Sequence, residues 1–411
     1  MKPIRVFIRS SLLDAYIYAG HLFAVFTDGT LRVLPLIKVF EKLESQCPEL
    51  ASVLKLAILR NDWLLNPQMA TLFYANYFLD AFTSVWQKAT VQDFHVDLEN
   101  EDWQVMWELP SLPIYDMRVY AMRVYLGHRE GIHEGLIRIV KNEVRPHNGL
   151  AKVFDARTIS ISARSGELLF SADDEGLFHG SLWDNAQVDS HTTVSEKSYA
   201  KKSLRTGWKG FDFLNYEKNS HFAYVKNEIQ RVSQKQRTYI YSQTDESSEK
   251  IRISKLATDT YPMESFFSQS YLFPLDEVQY CFNDSKSSFF FLRDGHFLKV
   301  NWTGAQQGAR LSSKFSDFLE TSGKNILGKP CSAIAFPSGC VIEFFDRVVL
   351  VHDDEIFDIE NHPAVSVRTF PTSKRFRRLV CVTCEDGVAL HAVFPARSEV
   401  LKEAYRAISE E

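Results

Sequence analysis

Short apolar runs alternate with polar positions along most of this chain, and acidic-glycine pairs punctuate them. In Phe23–Leu36 (FAVFTDGTLRVLPL) one apolar run meets Asp28-Gly29 and a second run ends on a large apolar residue. The same frame recurs in Phe170–Trp183, Phe289–Trp302 and Cys381–Phe394. With Gly29, Gly176, Gly295 and Gly387 superposed, Phe23, Phe170, Phe289 and Cys381 stand six residues before the glycine, and Leu36, Trp183, Trp302 and Phe394 seven after it. Period-two alternation predicts strands. An Asp-Gly or Glu-Gly pair between two of them predicts a hairpin, because glycine takes the positive φ that primed turns require.

Three further hairpins fit the frame, turning at Glu130-Gly131, Lys226-Asn227 and Asp346-Arg347. The central turns then fall near 28, 130, 175, 226, 294, 346 and 386, and four of the six intervals lie between 40 and 52 residues. That is close to the roughly 40–50 residues of a four-stranded propeller blade. The two long intervals hold insertions. The first, over 37–89, has helical periodicity: Cys47-Pro48 and Asn66-Pro67 each open a segment, with Asn66 as a cap. From Pro67 to Lys88 a single helix is expected, with Leu72, Leu79 and Trp86 seven apart on one face and Phe78, Phe82 and Val85 widening it. The second is a polar tract that includes 244–250. A short helix is expected over 311–320, ahead of Gly323, and a C-terminal helix over 398–411, capped by Ser398.

The aromatic content, 31 Phe, 16 Tyr and 7 Trp, suits pleated surfaces and places the chain among globular proteins. With 47 basic against 52 acidic residues, the net charge of -5 supplies no global attraction for nucleic acid or an anionic membrane. No segment reads as a signal peptide or a membrane span, so no membrane partner is expected. Six scattered cysteines point to a reducing compartment, and the cytoplasm is expected.

Trp183-Asp184 stands where a WD dipeptide would end a blade strand, and Gly20-His21 is the pair that usually opens such repeats. In these features the chain resembles β-propellers of the WD40 type. The resemblance implies a ring of sheets around a central channel and a role in holding partners. The expected fold is therefore an all-β β-propeller, seven-bladed, with a helical insertion and a C-terminal helix.

Candidate chemistry is sparse. Cys381-Val-Thr-Cys384 has redox or zinc spacing, but in a strand residues three apart face opposite ways, so both are expected in the core. Cys331 and Cys340 flank a turn in a register that does not pair them. His128-Arg-Glu-Gly-Ile-His133-Glu134 spans a predicted hairpin and is expected to be a turn with solvated charges. His352-Asp353-Asp354-Glu355 and Asp173-Asp174-Glu175 read as acidic turns, since neither has the spaced ligands of a calcium loop. No phosphate loop or nucleophile elbow is present, and no metal or cofactor is expected.

Three docking surfaces remain, one of them the long polar loops that propellers display on one rim. Lys374, Arg375, Arg377 and Arg378 surround Phe376, a set that could bind an anionic partner. Leu72, Phe78, Leu79, Phe82 and Trp86 form an apolar helical surface too wide for one flank to cover. The reading is a non-enzymatic protein-interaction scaffold or a regulatory subunit with a protein partner. The alternatives are an enzyme whose site is distributed over several blades, and a nucleic-acid or nucleotide binder that uses Lys374 to Arg378.

Overall fold

The computed structural model describes residues 1–411 other than 75, 142, 165, 183–190, 197, 210–211, 218–221, 226–227, 232–250, 256–259, 263–277, 285–286, 294–296, 303–308, 313–329, 338, 353–354, 372, 396–398 and 401–411. The fold is an all-β propeller with a few helices, built from antiparallel sheets that follow one another along the chain. It comprises two compact units: Met1–Pro110 with Ile139–Val144 and Gly328–Glu411, and Ser111–Arg138 with Arg145–Leu327.

In the first unit one sheet joins Leu12–Tyr18, His21–Phe26, Thr30–Pro35 and Gln104–Glu108. A second joins Pro330–Phe336, Gly339–Phe344, Val348–His352 and Glu355–Glu360. A third begins with Ser366–Thr369, Leu379–Cys384 and Gly387–Ala392 and is completed by Ile4–Arg9, which pairs antiparallel with Gly387–Ala392 in the register Val6 to Leu390. Phe94–Asp97 then adds to Ile4–Arg9 in parallel. Between the last two sheets Phe7, Ile334, Phe336, Val341, Leu350, Val380 and Val382 form one buried cluster.

In the second unit Ile114–Tyr120, Arg123–His128 and Gly131–Val140 form a meander, with Ala151–Phe154 beside Gly131–Val140. The next sheets are Ser160–Arg164, Glu167–Ser171, Leu177–Ser181 and Thr193–Val194, then Arg205–Lys209, Asp212–Tyr216, Phe222–Val225 and Thr260–Pro262. Val278–Asp284, Ser287–Leu292, Phe297–Trp302 and Ala309–Ser312 make a further one. Tyr125, Ile132, Ile161, Leu168 and Phe170 fill the space between the first two of these sheets.

The repeated hairpin is the second-to-third strand connection of its sheet. Phe23, Phe170, Phe289 and Cys381, aligned by the frame, are each 0% exposed. Gly29 and Gly176 take φ of 81° and 111°, as their turns demand. Gly387 serves differently: its φ is not positive, but a Cβ there would stand 2.3 Å from the carbonyl oxygen of Ile8, so glycine is what lets Ile4–Arg9 close on it.

An aspartate in the first strand of a sheet makes the contact to its neighbour in both units, each time just after a register shift. Asp14 accepts from Ser366 Oγ at 2.7 Å and pairs with Arg368. Asp116 Oδ2 accepts the backbone N–H of Ile161 at 2.6 Å.

Several expectations change. Phe222–Val225 does not turn at Lys226-Asn227 to pair with Glu228–Arg231. It pairs with Asp212–Tyr216 and Thr260–Pro262, while Glu228–Arg231 leaves the sheet to pair with Ile251–Lys255. The helix expected over Pro67–Lys88 is present as Pro67–Tyr74 and Asn76–Thr90, with residue 75 between them outside the described residues. Leu311 lies in the strand Ala309–Ser312, and the rest of the helix expected there lies outside the described residues, as do 244–250, Trp183-Asp184 and Asp353-Asp354. Of the C-terminal helix only Glu399 and Val400 are described, both helical.

Candidate docking site

Four helices lie between Thr30–Pro35 and Gln104–Glu108: α1 (Leu36–Gln46), α2 (Ala51–Ile58), α3 (Pro67–Tyr74) and α4 (Asn76–Thr90). Helix α1 buries Leu36, Val39, Phe40 and Leu43, and α2 buries Val53, Leu54, Ala57 and Ile58. The first set follows the i, i+3, i+4, i+7 spacing of one covered face, and the second, at i, i+1, i+4 and i+5, likewise lies on one side of its helix. Asn66 caps α3 as expected, its Oδ1 accepting the N–H of Gln68 at 2.9 Å.

Helix α4 sorts the five apolar candidates. Leu79 and Trp86 are 5% and 0% exposed, and the Trp86 ring meets Phe394 edge-on at 5.1 Å. Phe82 is half-buried between Phe73 at 5.3 Å and Phe394 at 5.9 Å. Leu72, at 49%, and Phe78, at 52%, face outward, with Tyr77 in edge contact with Phe78. Trp86 and Phe82 therefore hold the helix against Phe394 and Leu79 is buried beneath it, while Leu72 and Phe78 face outward.

The basic segment is divided in the same way. Phe376 and Arg378 are buried, and Arg378 forms an ion pair with Glu399. Lys374 and Arg375 are exposed and Arg377 is half-buried. Arg375 donates from Nε to the carbonyl oxygen of Leu59, the residue that ends α2, at 2.8 Å. Arg60 follows directly, its guanidinium 4.4 Å from the ring of Trp63, which is 42% exposed. The loop that carries the basic segment is thus tied to the helical layer at Leu59. With its ring buried, Phe376 offers no face for a base to stack upon.

Elsewhere in this unit a cleft of about 660 Å³ is lined by Arg5, Asp93, His95, Glu360, His362 and His391 among others. Its charges are paired. Arg5 donates to Glu360 at 2.7 Å and to Asp93 at 3.0 Å, and His391 Nε2 lies 2.9 Å from Glu360. Burial opposes ionisation of Glu360, but hydrogen bonds from His391 and Arg5 outweigh it and hold the carboxyl below the usual range. Burial lowers the basicity of His391, so a neutral imidazole donates to an ionised carboxylate.

Cys381 and Cys384 are core residues, as the strand reading expects. Burial raises both thiols, that of Cys384 to about 12. Asp173-Asp174-Glu175 is the expected acidic turn. The segment 128–134 is not a solvated turn. Arg129 and Glu130 are exposed at its tip, but His128, His133 and Glu134 are buried. Glu134 pairs with Arg123 at 2.6 Å and accepts from the N–H and hydroxyl of Thr192. Nothing in the local sequence signals this burial, because the covering groups come from the neighbouring sheet. Among the described residues no three potential ligands cluster to hold a metal ion, and no helix is long and apolar enough to cross a membrane.

No family model and no curated protein matches this sequence. Solved structures of similar fold include the WD40 β-propeller domain of Doa1, at 9% identity over 97% of this chain and 98% of that one, with a TM-score of 0.44. A chain of the Mitotic Checkpoint Complex is similar at 7% identity over 95% and 89%, TM-score 0.43, and the computationally designed Ika8 protein at 6% over 96% and 100%, TM-score 0.41. At such values the propeller topology stands on the strand pairing itself.

Proposed function

We propose that this chain is a non-enzymatic interaction module, a scaffold or regulatory subunit of a larger assembly. It reads as a single propeller of seven blades, with the helices of 37–89 inserted in one blade and the free thiols of Cys47, Cys331, Cys340, Cys381 and Cys384 fitting a cytoplasmic setting. The observation that carries the proposal is the hydrogen bond from Arg375 to Leu59. It ties the loop that carries the exposed cations to the end of α2, in a helical layer whose outward side chains include Trp63, Leu72 and Phe78. Aromatic and arginine side chains are the residue types that dominate binding energy at protein interfaces, so the chemistry suits an acidic protein segment that carries apolar anchors.

Two double variants test it, Leu72→Ser with Phe78→Ser, and Lys374→Ser with Arg377→Ser. Both should keep the wild-type thermal midpoint, and both should lose the same cross-linked partner, the second in a salt-dependent manner. Partners lost separately, or retained by both variants, would break the single face apart.

A further inference from the structure

Ser111 Oγ lies 2.9 Å from Nδ1 of His128, and Nε2 of His128 lies 2.5 Å from Nδ1 of His133. The two rings stack with centroids 4.7 Å apart. One backbone group determines every proton in this chain of contacts. The N–H of Glu130 also reaches His128 Nδ1, at 3.3 Å, and an amide N–H can only donate. His128 Nδ1 is therefore an unprotonated acceptor, the Ser111 hydroxyl donates to it, and the ring proton sits on Nε2. That proton goes to His133 Nδ1, which leaves the His133 proton on Nε2. Both imidazoles are neutral. Burial depresses the basicity of each, helped by the neighbouring His133 in the case of His128 and by Lys152 in the case of His133.

Two donors share that one lone pair, and the Ser111 hydroxyl, half-exposed at the surface, is the nearer, at 2.9 Å against 3.3 Å for the Glu130 N–H. A hydroxyl on a neutral imidazole whose other nitrogen is held by a third group is the arrangement of an activated nucleophile. Leu112 follows Ser111 directly in the chain, at 41% exposure, and Tyr115, at 37% with Arg157 over its ring at 5.3 Å, lies four residues on.

We propose that Ser111 is a nucleophile for carboxylic esters with an apolar acyl group, with His128 as its general base and His133 as the positioning residue. Ser111 Oγ attacks the carbonyl carbon while its proton passes to His128 Nδ1. The carbon–oxygen bond to the leaving group then breaks, and the departing alkoxide takes the proton from His128. Water, deprotonated by the same nitrogen, releases the acid and restores the serine. No electrons change hands. This activity is separate from the docking face and does not depend on it.

The test treats the full-length chain with a fluorophosphonate, in which attack by Ser111 forms a phosphorus–oxygen bond and expels fluoride, and maps the adduct by mass spectrometry. Hydrolysis of p-nitrophenyl butyrate is followed alongside. Ser111 should be the labelled serine, and the rate should rise with pH through the titration of His128, at a midpoint below the ordinary value of 6.5. Ser111→Ala should abolish labelling and hydrolysis, and His128→Ala should slow both by about 10²-fold or more, the scale of general-base assistance. His133→Gln, whose amide oxygen accepts the same proton, should retain labelling, whereas His133→Phe should lose most of it. A chain that leaves Ser111 unlabelled under conditions that label a reference serine esterase overturns the proposal. So does labelling with no pH dependence, and both results come from the wild-type protein alone.

Discussion

Arg375 Nε and the carbonyl oxygen of Leu59 meet at 2.8 Å although 316 residues separate them in the chain. The carbonyl ends α2 and the guanidinium leaves the loop before Leu379–Cys384, so one charge-assisted bond ties the helical layer to the third sheet. The division between buried and outward residues in α4 follows its contacts with Phe394.

Trp86→Ala should therefore destabilise the protein by about 3–5 kcal/mol, the usual cost of emptying a fully buried aromatic site. Phe78→Ser and Leu72→Ser should each leave the urea midpoint close to that of the wild type. Urea unfolding of the three variants measures this, and a Phe78→Ser loss as large as that of Trp86→Ala would mean that α4 is turned the other way.

Acid should weaken the fold earlier than carboxylate titration alone would. Burial holds His128, His133 and His391 below the ordinary value of 6.5, so in the window beneath that value the unfolded chain binds protons that the native chain refuses. Stability then falls as pH drops below about 6.5. Glu360 acts at lower pH: its depressed carboxyl contributes stability that is lost as pH falls below the ordinary 4.5 and through its native value. Urea midpoints measured from pH 8 to pH 5 check the first window, and the variant His128→Asn with His133→Gln should flatten the slope there. An unchanged slope would place the pH sensitivity elsewhere.

Thiol reactivity should separate surface from core. Cys331 is exposed, whereas Cys340, Cys381 and Cys384 are buried, with the Cys384 thiol pushed up to about 12. Iodoacetamide at pH 8 attacks the thiolate and should modify Cys331 first, leaving those three until denaturant is added. Alkylation of Cys384 in the folded chain at the Cys331 rate would contradict a closed sheet.

Much of the architecture was legible in the chain itself, because hairpins are local objects. A tight turn and alternation over the flanking residues determine a strand pair without reference to anything distant, and Phe23, Phe170, Phe289 and Cys381 are each buried in the second strand of their sheet. The frame failed at Lys226-Asn227, where both partners of Phe222–Val225 come from elsewhere in the chain.

Burial, by contrast, was decided by tertiary structure. Leu72 and Leu79 have the same apolar character, yet only Leu79 is covered, and Phe82 and Trp86 on the same helix are met by Phe394, from far along the chain. Lys374 and Arg378 read alike as cations, but Glu399 stands beside Arg378 and turns it inward. His128 and His133 sit either side of an obvious turn, and only the approach of Thr192 and the adjoining sheet makes that turn the edge of a buried polar network. Local sequence specifies the turn and the alternation of faces. Which face loses its water depends on what arrives to cover it, and that is a property of the assembled sheets.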